Sequence, residues 1–222
     1  MHTLVETPAG EARITTFPAS GHRRATVVLS HGAGGGIEAP DLQALAAALP
    51  QEGFEVALVE QPWRVAGKRI APAPKTLDLG WRAVLAHLTG IGTGTDSGRG
   101  TDSGERVPVI VGGRSAGARV ACRTGLDTGA AGVLALAFPL HPPGKPEKSR
   151  IEELLHTGLP TLVVQGGADP FGGPQEFPDL PPGHQLVGLP AGGHEFAVRK
   201  GQPPVIDGIA DAVIAWLETV PK

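Results

Sequence analysis

Six short apolar runs constrain this chain more than any other feature: ATVVLSHG, FEVALVEQ, VPVIVGG, AGVLALAF, PTLVVQGG and HQLVGLPAGG. Each is too short for a buried helix and too continuously apolar for a strand with one face in water. Such runs are expected of strands covered on both faces, as in a parallel sheet. Between them lie segments with helical periodicity: PDLQALAAALPQ, TLDLGWRAVLAHL, SAGARVACRTGL and SRIEELLHTG. A closing segment, PVIDGIADAVIAWLETV, repeats Val205, Ile209, Val213 and Trp216 with Leu217 at helical spacing, so one face packs on the sheet. Strands alternating with helices imply a doubly wound α/β sandwich of about eight strands and about five helices. The opening TLVETPAGEARITTF reads as an antiparallel hairpin around Pro8, Ala9 and Gly10 at one sheet edge. At 222 residues the chain is expected to form a single domain. Residues 90–106 break the rhythm with a repeated GTDSG and are read as a flexible surface loop; no lysine follows the glycines as a phosphate-binding loop requires.

A net charge of −3 with scattered basic residues gives no electrostatic reason to expect a nucleic-acid partner. No apolar run approaches the roughly 20 residues of a membrane-spanning helix, so no membrane partner is expected. The lone cysteine, Cys122, has no partner for an internal disulfide, and the start MHTLVETPAGEARI lacks the basic-then-apolar pattern of a secretion signal. A cytoplasmic setting is the expectation. The histidines are spread out, with no HExxH or paired-cysteine pattern, so neither a metal nor a cofactor is expected.

The run VPVIVGG leads into Gly113-Arg114-Ser115-Ala116-Gly117, a G-x-S-x-G pattern between a strand and a helix. A sharp turn there would lift the serine hydroxyl above the sheet edge, and side chains at either glycine would collide with neighbouring elements. A helix starting just after Ser115 points free N–H groups, Ala116 among them, at the same spot. A serine hydroxyl needs a base to take its proton and a carboxylate to orient that base. In a sheet of this kind the site lies at the carboxyl ends of the strands. Asp169 follows the run TLVVQ, and His194 follows QLVGLP. Each has a plainer reading, as turn initiator and solvated loop residue respectively. Jointly, in the order Ser115, Asp169, His194, they are expected to be catalytic.

SHGAGGG, residues 30–36, supplies free backbone after an early strand. The N–H groups of Ala33 or Gly34, with Ala116, are the expected oxyanion donors, each worth on the order of 3 kcal/mol in the transition state. His31 is expected to anchor this loop. Arg114, Trp63, His141 and Phe171 are candidates to line a substrate site. Arg114, with Arg64, Lys68 and Arg69, would favour an anionic substrate; alternatively it pairs with Glu60 or another carboxylate and braces the turn. Only about a dozen residues separate Phe138 from the next helix, so a covering lid is absent or minimal, and small acyl groups suit an open site better than long ones.

HGAGGG, GGRSAGAR, ADPFG and GHEF, in this order, resemble an α/β hydrolase of the small, dienelactone-hydrolase-like kind. FPLHPPGKPEKSRIEELL and VVQGGADPFG further resemble the branch of the third subunit of the eukaryotic NSL chromatin complex and its testis-expressed relatives. The resemblance implies Ser115 as nucleophile, Asp169 as orienting acid, His194 as base, and Ala33 and Ala116 as oxyanion donors; with the open site, these residues point to a serine hydrolase of small carboxylic esters or thioesters. Its partner would be a small acyl substrate, and the chain would act as monomer or homodimer. Some relatives in that branch are non-catalytic, so a binding or scaffold protein on the same fold is the alternative, and the fold also hosts other chemistries.

Overall fold

A computed structural model describes residues 2–90 and 107–221. The GTDSG-repeat segment, read above as a loop, lies almost wholly outside the described residues. Eight strands form one sheet in the order β1-β2-β4-β3-β5-β6-β7-β8. Strands β1 (His2–Thr7) and β2 (Gly10–Phe17) form the antiparallel edge hairpin, which joins the rest through β4 (Phe54–Glu60). From β4 onward through β3 (Ala25–Ser30), β5 (Val109–Arg114), β6 (Gly132–Leu136), β7 (Thr161–Gln165) and β8 (His184–Gly188), every pairing is parallel.

The continuous apolar runs are explained by two cores, one on each face. Val27 and Leu29 of β3, Leu134 and Leu136 of β6, and Leu162 and Val164 of β7 point to one face. Their neighbours Val28, Val133, Ala135 and Val163 point to the other. A strand alternates its side chains, so a strand buried on both faces must be apolar throughout. Helices α1 (Pro40–Ala48) and α6 (Ile206–Leu217) cover the first face through Leu42, Leu45, Ile209, Val213 and Trp216. Helices α3 (Pro74–Thr89) and α4 (Ala116–Thr124) cover the second through Trp81, Val84, Leu85, Val120 and Cys122. Burial pushes the Cys122 thiol up, as befits a core residue.

Four of the five anticipated helices appear with ends shifted by a few residues; SRIEELLHTG keeps only five helical residues, α5 (Ile151–Leu155). A further single turn, α2 (Pro62–Val65), lies within the segment taken for a loop, where Pro62 supplies a helix-ready φ at its first position. Between Pro139 and Arg150 there is one short 3-10 turn, Pro146–Lys148, and no helix that could act as a lid. No helix among the described residues is long and apolar enough to cross a membrane.

Candidate active site

Because β3, β5, β7 and β8 run parallel, the segments after them emerge at one edge of the sheet. The turn after β5 is sharp. Ser115 sits at φ 53, ψ −112, where a non-glycine residue is strained. Its N–H is held by the Leu136 carbonyl at 2.9 Å, and its own carbonyl accepts from Arg119 N–H in the first turn of α4. The flanking glycines are forced by β3: a Cβ at Gly113 or at Gly117 would run into the Ser30 carbonyl. Only glycine lets the serine turn pass this close to β3.

The Asp169 and His194 loops are tied backbone to backbone. Gly167 N–H donates to Ala191 O at 3.1 Å, and Ala168 N–H to Gly192 O at 3.0 Å. A Cβ at Gly166 would lie 2.5 Å from the Gly192 carbonyl, so the close approach needs the glycine pair after β7. As a result His194 Nδ1 lies 2.9 Å from Asp169 Oδ2, and His194 Nε2 lies 2.8 Å from Ser115 Oγ. A carboxylate only accepts, so Nδ1 carries the proton and Nε2 is left to accept from the serine hydroxyl. Asp169 is 4% exposed and is itself oriented: Phe171 N–H donates to Oδ1 at 2.8 Å, and Gln165 Nε2 donates to Oδ2 at 3.0 Å. Gln165, the last residue of β7, also donates to the carbonyls of Phe138 and Gly172. Sequence reasoning missed it, although a polar residue ending the apolar run TLVV at the site edge was a visible signal.

The loop after β3 meets the serine turn directly. A Cβ on Gly32 would lie 3.2 Å from Ser115 Cβ. Among the described residues the N–H groups of Ala33, Gly34 and Ala116 take no acceptor, whereas Gly36 N–H is taken by Glu38 Oε1. His31 anchors the loop as expected. Its ring reaches Gly32 O through Nδ1 at 2.8 Å and Gln61 N–H through Nε2 at 3.1 Å, which requires the neutral tautomer with the proton on Nδ1. Burial holds its pKa below the ordinary histidine value, in keeping with that form.

The four candidate lining residues fare differently. Phe171 stacks on the His194 ring, centroids 4.2 Å apart. Trp63 is buried edge-on against His31 and shares with Ala116 the wall of a recess of only about 10 Å³. His141 is buried, with Nδ1 on Pro142 O and Nε2 on Glu176 Oε2, both 2.9 Å, and these two ring contacts are intramolecular. Arg114 is 6% exposed; it donates through Nε to Asp41 Oδ2 at 3.1 Å and through Nη2 to the His194 carbonyl at 2.8 Å. Its partner is therefore Asp41, not Glu60, which lies opposite Arg13 on β2 and pairs with it. Asp41 was missed because an acid in a helix's first turn is unremarkable in sequence. Of the other cations, Arg64 pairs with Glu38 at 3.4 Å, and Lys68 lines a separate cavity beside the hairpin turn.

Both partners of the His141 ring are acceptors, so the ring keeps both bonds only as imidazolium, and the Pro142 carbonyl and Glu176 raise its pKa. The Gly173 N–H and His141 lower that of Glu176. The His141 contribution to stability is thus complete below about pH 6.5 and lost as pH rises through its raised folded value; the Glu176 contribution is lost as pH falls through its lowered one. The unfolding free energy of wild type relative to His141→Gln, from urea titration, is expected to be larger at about pH 5.5 than at about pH 8.5, by at most about 1 kcal/mol since Glu176 is half-exposed. An equal gap at both would mean an uncharged ring.

A strand-turn-helix serine hydrogen-bonded to a histidine and aspartate from later strand ends, on this sheet, defines an α/β hydrolase architecture. A sequence profile of the alpha/beta hydrolase domain matches residues 23–218, and the chain belongs to that family. Its fold is similar to a lidless α/β serine hydrolase of Xanthomonas campestris (TM-score 0.73, 18% identity, 100% of this chain and 95% of that one). It is similar as well to a dienelactone hydrolase of Anabaena variabilis (0.70, 17%, 100% and 98%) and a thermophilic esterase of Thermogutta terrifontis (0.65, 16%, 100% of both).

Proposed function

We propose that the chain is a single-domain serine hydrolase of small carboxylic esters or thioesters, with Ser115, His194 and Asp169 as its catalytic triad. The observation that carries this reading is the unbroken hydrogen-bond chain from Ser115 Oγ through the His194 ring to Asp169, starting from a serine held at strained φ. Ser115 Oγ attacks the acyl carbon while its proton passes to His194 Nε2. The carbonyl oxygen, now negative, is held by the N–H groups of Ala116 and of Ala33 or Gly34. Collapse breaks the bond to the leaving alcohol or thiol, which takes the proton from Nε2. Water then attacks acyl-Ser115, gives a proton to Nε2, and the acid leaves as Ser115 regains its hydrogen. Asp169 stays ionised and holds the ring in the tautomer these steps need.

The lack of a lid helix between Pro139 and Arg150 supports short acyl groups: acetate and butyrate esters are expected to outcompete long-chain ones. The free, buried Cys122 is compatible with a cytoplasmic protein; a monomeric or homodimeric state and membership of the NSL-subunit branch are part of the same proposal. A fluorophosphonate is expected to label native protein on Ser115 and to leave Ser115→Ala unlabelled. Absence of label on the native wild type overturns the reading and favours the scaffold alternative.

A further inference from the structure

Outside the serine, histidine and aspartate themselves, the described residues line an open cavity of about 440 Å³ against the His194 loop. One wall is the segment after the oxyanion loop, Gly35 and Gly36 running into Ala39 and Pro40 at the start of α1. The facing wall is Glu195 to Val198, directly after His194, and Val205 and Ile206 at the start of α6. Arg114, the residue before the nucleophile, completes it. The lining is mainly apolar, and its charge balance is one-sided. The Arg114 guanidinium is engaged by Asp41 and by the His194 carbonyl. Glu38 and Glu195 are exposed carboxylates at the rim, and Arg64 meets only Glu38, through a long contact between exposed groups. No unpaired cation lines the cavity among the described residues.

We infer that this cavity receives the leaving group of the substrate, and that it selects an uncharged apolar alcohol over an anionic one. This rests on the hydrolase reading above. The chemistry sets the side: the leaving oxygen must face His194 Nε2 to collect its proton, and the carbonyl oxygen must face the N–H groups of the oxyanion loop. The cavity is bounded by the continuation of both loops and by Arg114, the neighbour of Ser115, which is the ground for assigning the leaving group to it. Its volume is within the range of small-ligand pockets, enough for an aryl or cycloalkyl group. Glu195, which meets no cation among the described residues, repels a carboxylated alcohol, while Glu38 is partly offset by Arg64 and adds less. Arg114 fits the alternative reading, a brace of the serine turn paired with a carboxylate, here Asp41.

The test compares acetate esters that differ only in the alcohol. Ala197 lines the cavity and is exposed, so Ala197→Phe fills space with little burden on folding. It is expected to lower the ratio of kcat/KM for 1-naphthyl acetate over methyl acetate about tenfold. Ala39→Leu, on the opposite wall, repeats the test should Ala197→Phe perturb the fold. Wild type is expected to favour phenyl acetate over 4-acetoxybenzoate about tenfold at low ionic strength, with Glu195→Gln or added salt narrowing the gap. An unchanged naphthyl-to-methyl ratio in both variants overturns the inference, as does a variant that discriminates instead among methyl acetate, butyrate and hexanoate. Fluorophosphonate labelling in parallel separates the failures. An unlabelled wild type removes the hydrolase reading itself; a labelled wild type with an indifferent pocket removes only the assignment of the cavity.

Discussion

Asp169→Asn is expected to lower kcat roughly 10⁴-fold with KM changed much less, the loss seen when a triad aspartate becomes an amide. The reason lies in the donors that surround this carboxylate. Oδ2 accepts from His194 Nδ1 and Gln165 Nε2, and Oδ1 accepts from Phe171 N–H. An amide nitrogen in the Oδ2 position faces two donors and drives the His194 proton to Nε2, where the ring no longer accepts from Ser115. Turned the other way, the nitrogen faces the Phe171 N–H, and the ring loses the negative charge that stabilises it as imidazolium. Either orientation costs catalysis. The measurement is kcat and KM for a short acyl ester, with circular dichroism to show that the fold survives. A kcat within tenfold of wild type would falsify the triad assignment.

Arg114→Met is expected to destabilise the fold by about 3–5 kcal/mol, measured by urea unfolding. Asp41 is fully buried, its Oδ1 has no hydrogen-bond partner, and burial already pushes its carboxyl above the ordinary range while Arg114 pulls it back. Removing the guanidinium leaves that carboxylate alone in the interior, the costly half of breaking a buried pair. The intact pair need not be a large net gain, so Arg114→Met/Asp41→Leu is expected to recover most of the loss. The double variant should still show a reduced kcat, because the His194 carbonyl has lost its Nη2 donor and the loop its tie to the serine turn. A single-variant cost below about 1 kcal/mol would show that the pair is dispensable.

How much of this was legible in the sequence differs by element. The parallel strands were, because burial on both faces demands runs such as ATVVLS and TLVVQ that read the same in any context. The turn around Ser115 was legible too, since its glycines answer a steric demand that the pattern itself states. The short α2 was not, because a four-residue helix carries no periodicity to read. Asp41 was invisible as a site residue, and Gln165 showed only as a polar end to the run TLVV, for a different reason. Their roles depend on which loop lies across from them, and no local pattern encodes that.

By itself, then, the sequence determined the sheet, its covering helices and the order in which a serine, an acid and a histidine reach one edge. Those properties follow from local periodicity, turn chemistry and the parallel direction of the strands. Only the tertiary structure decided that Arg114 is buried against Asp41, that the His141 ring is held by Pro142 and Glu176, and that a largely apolar cavity borders the His194 loop. Those properties belong to pairs of segments far apart in the chain. A side chain's partner is set by the packing of whole elements, and a sequence read locally has no access to it.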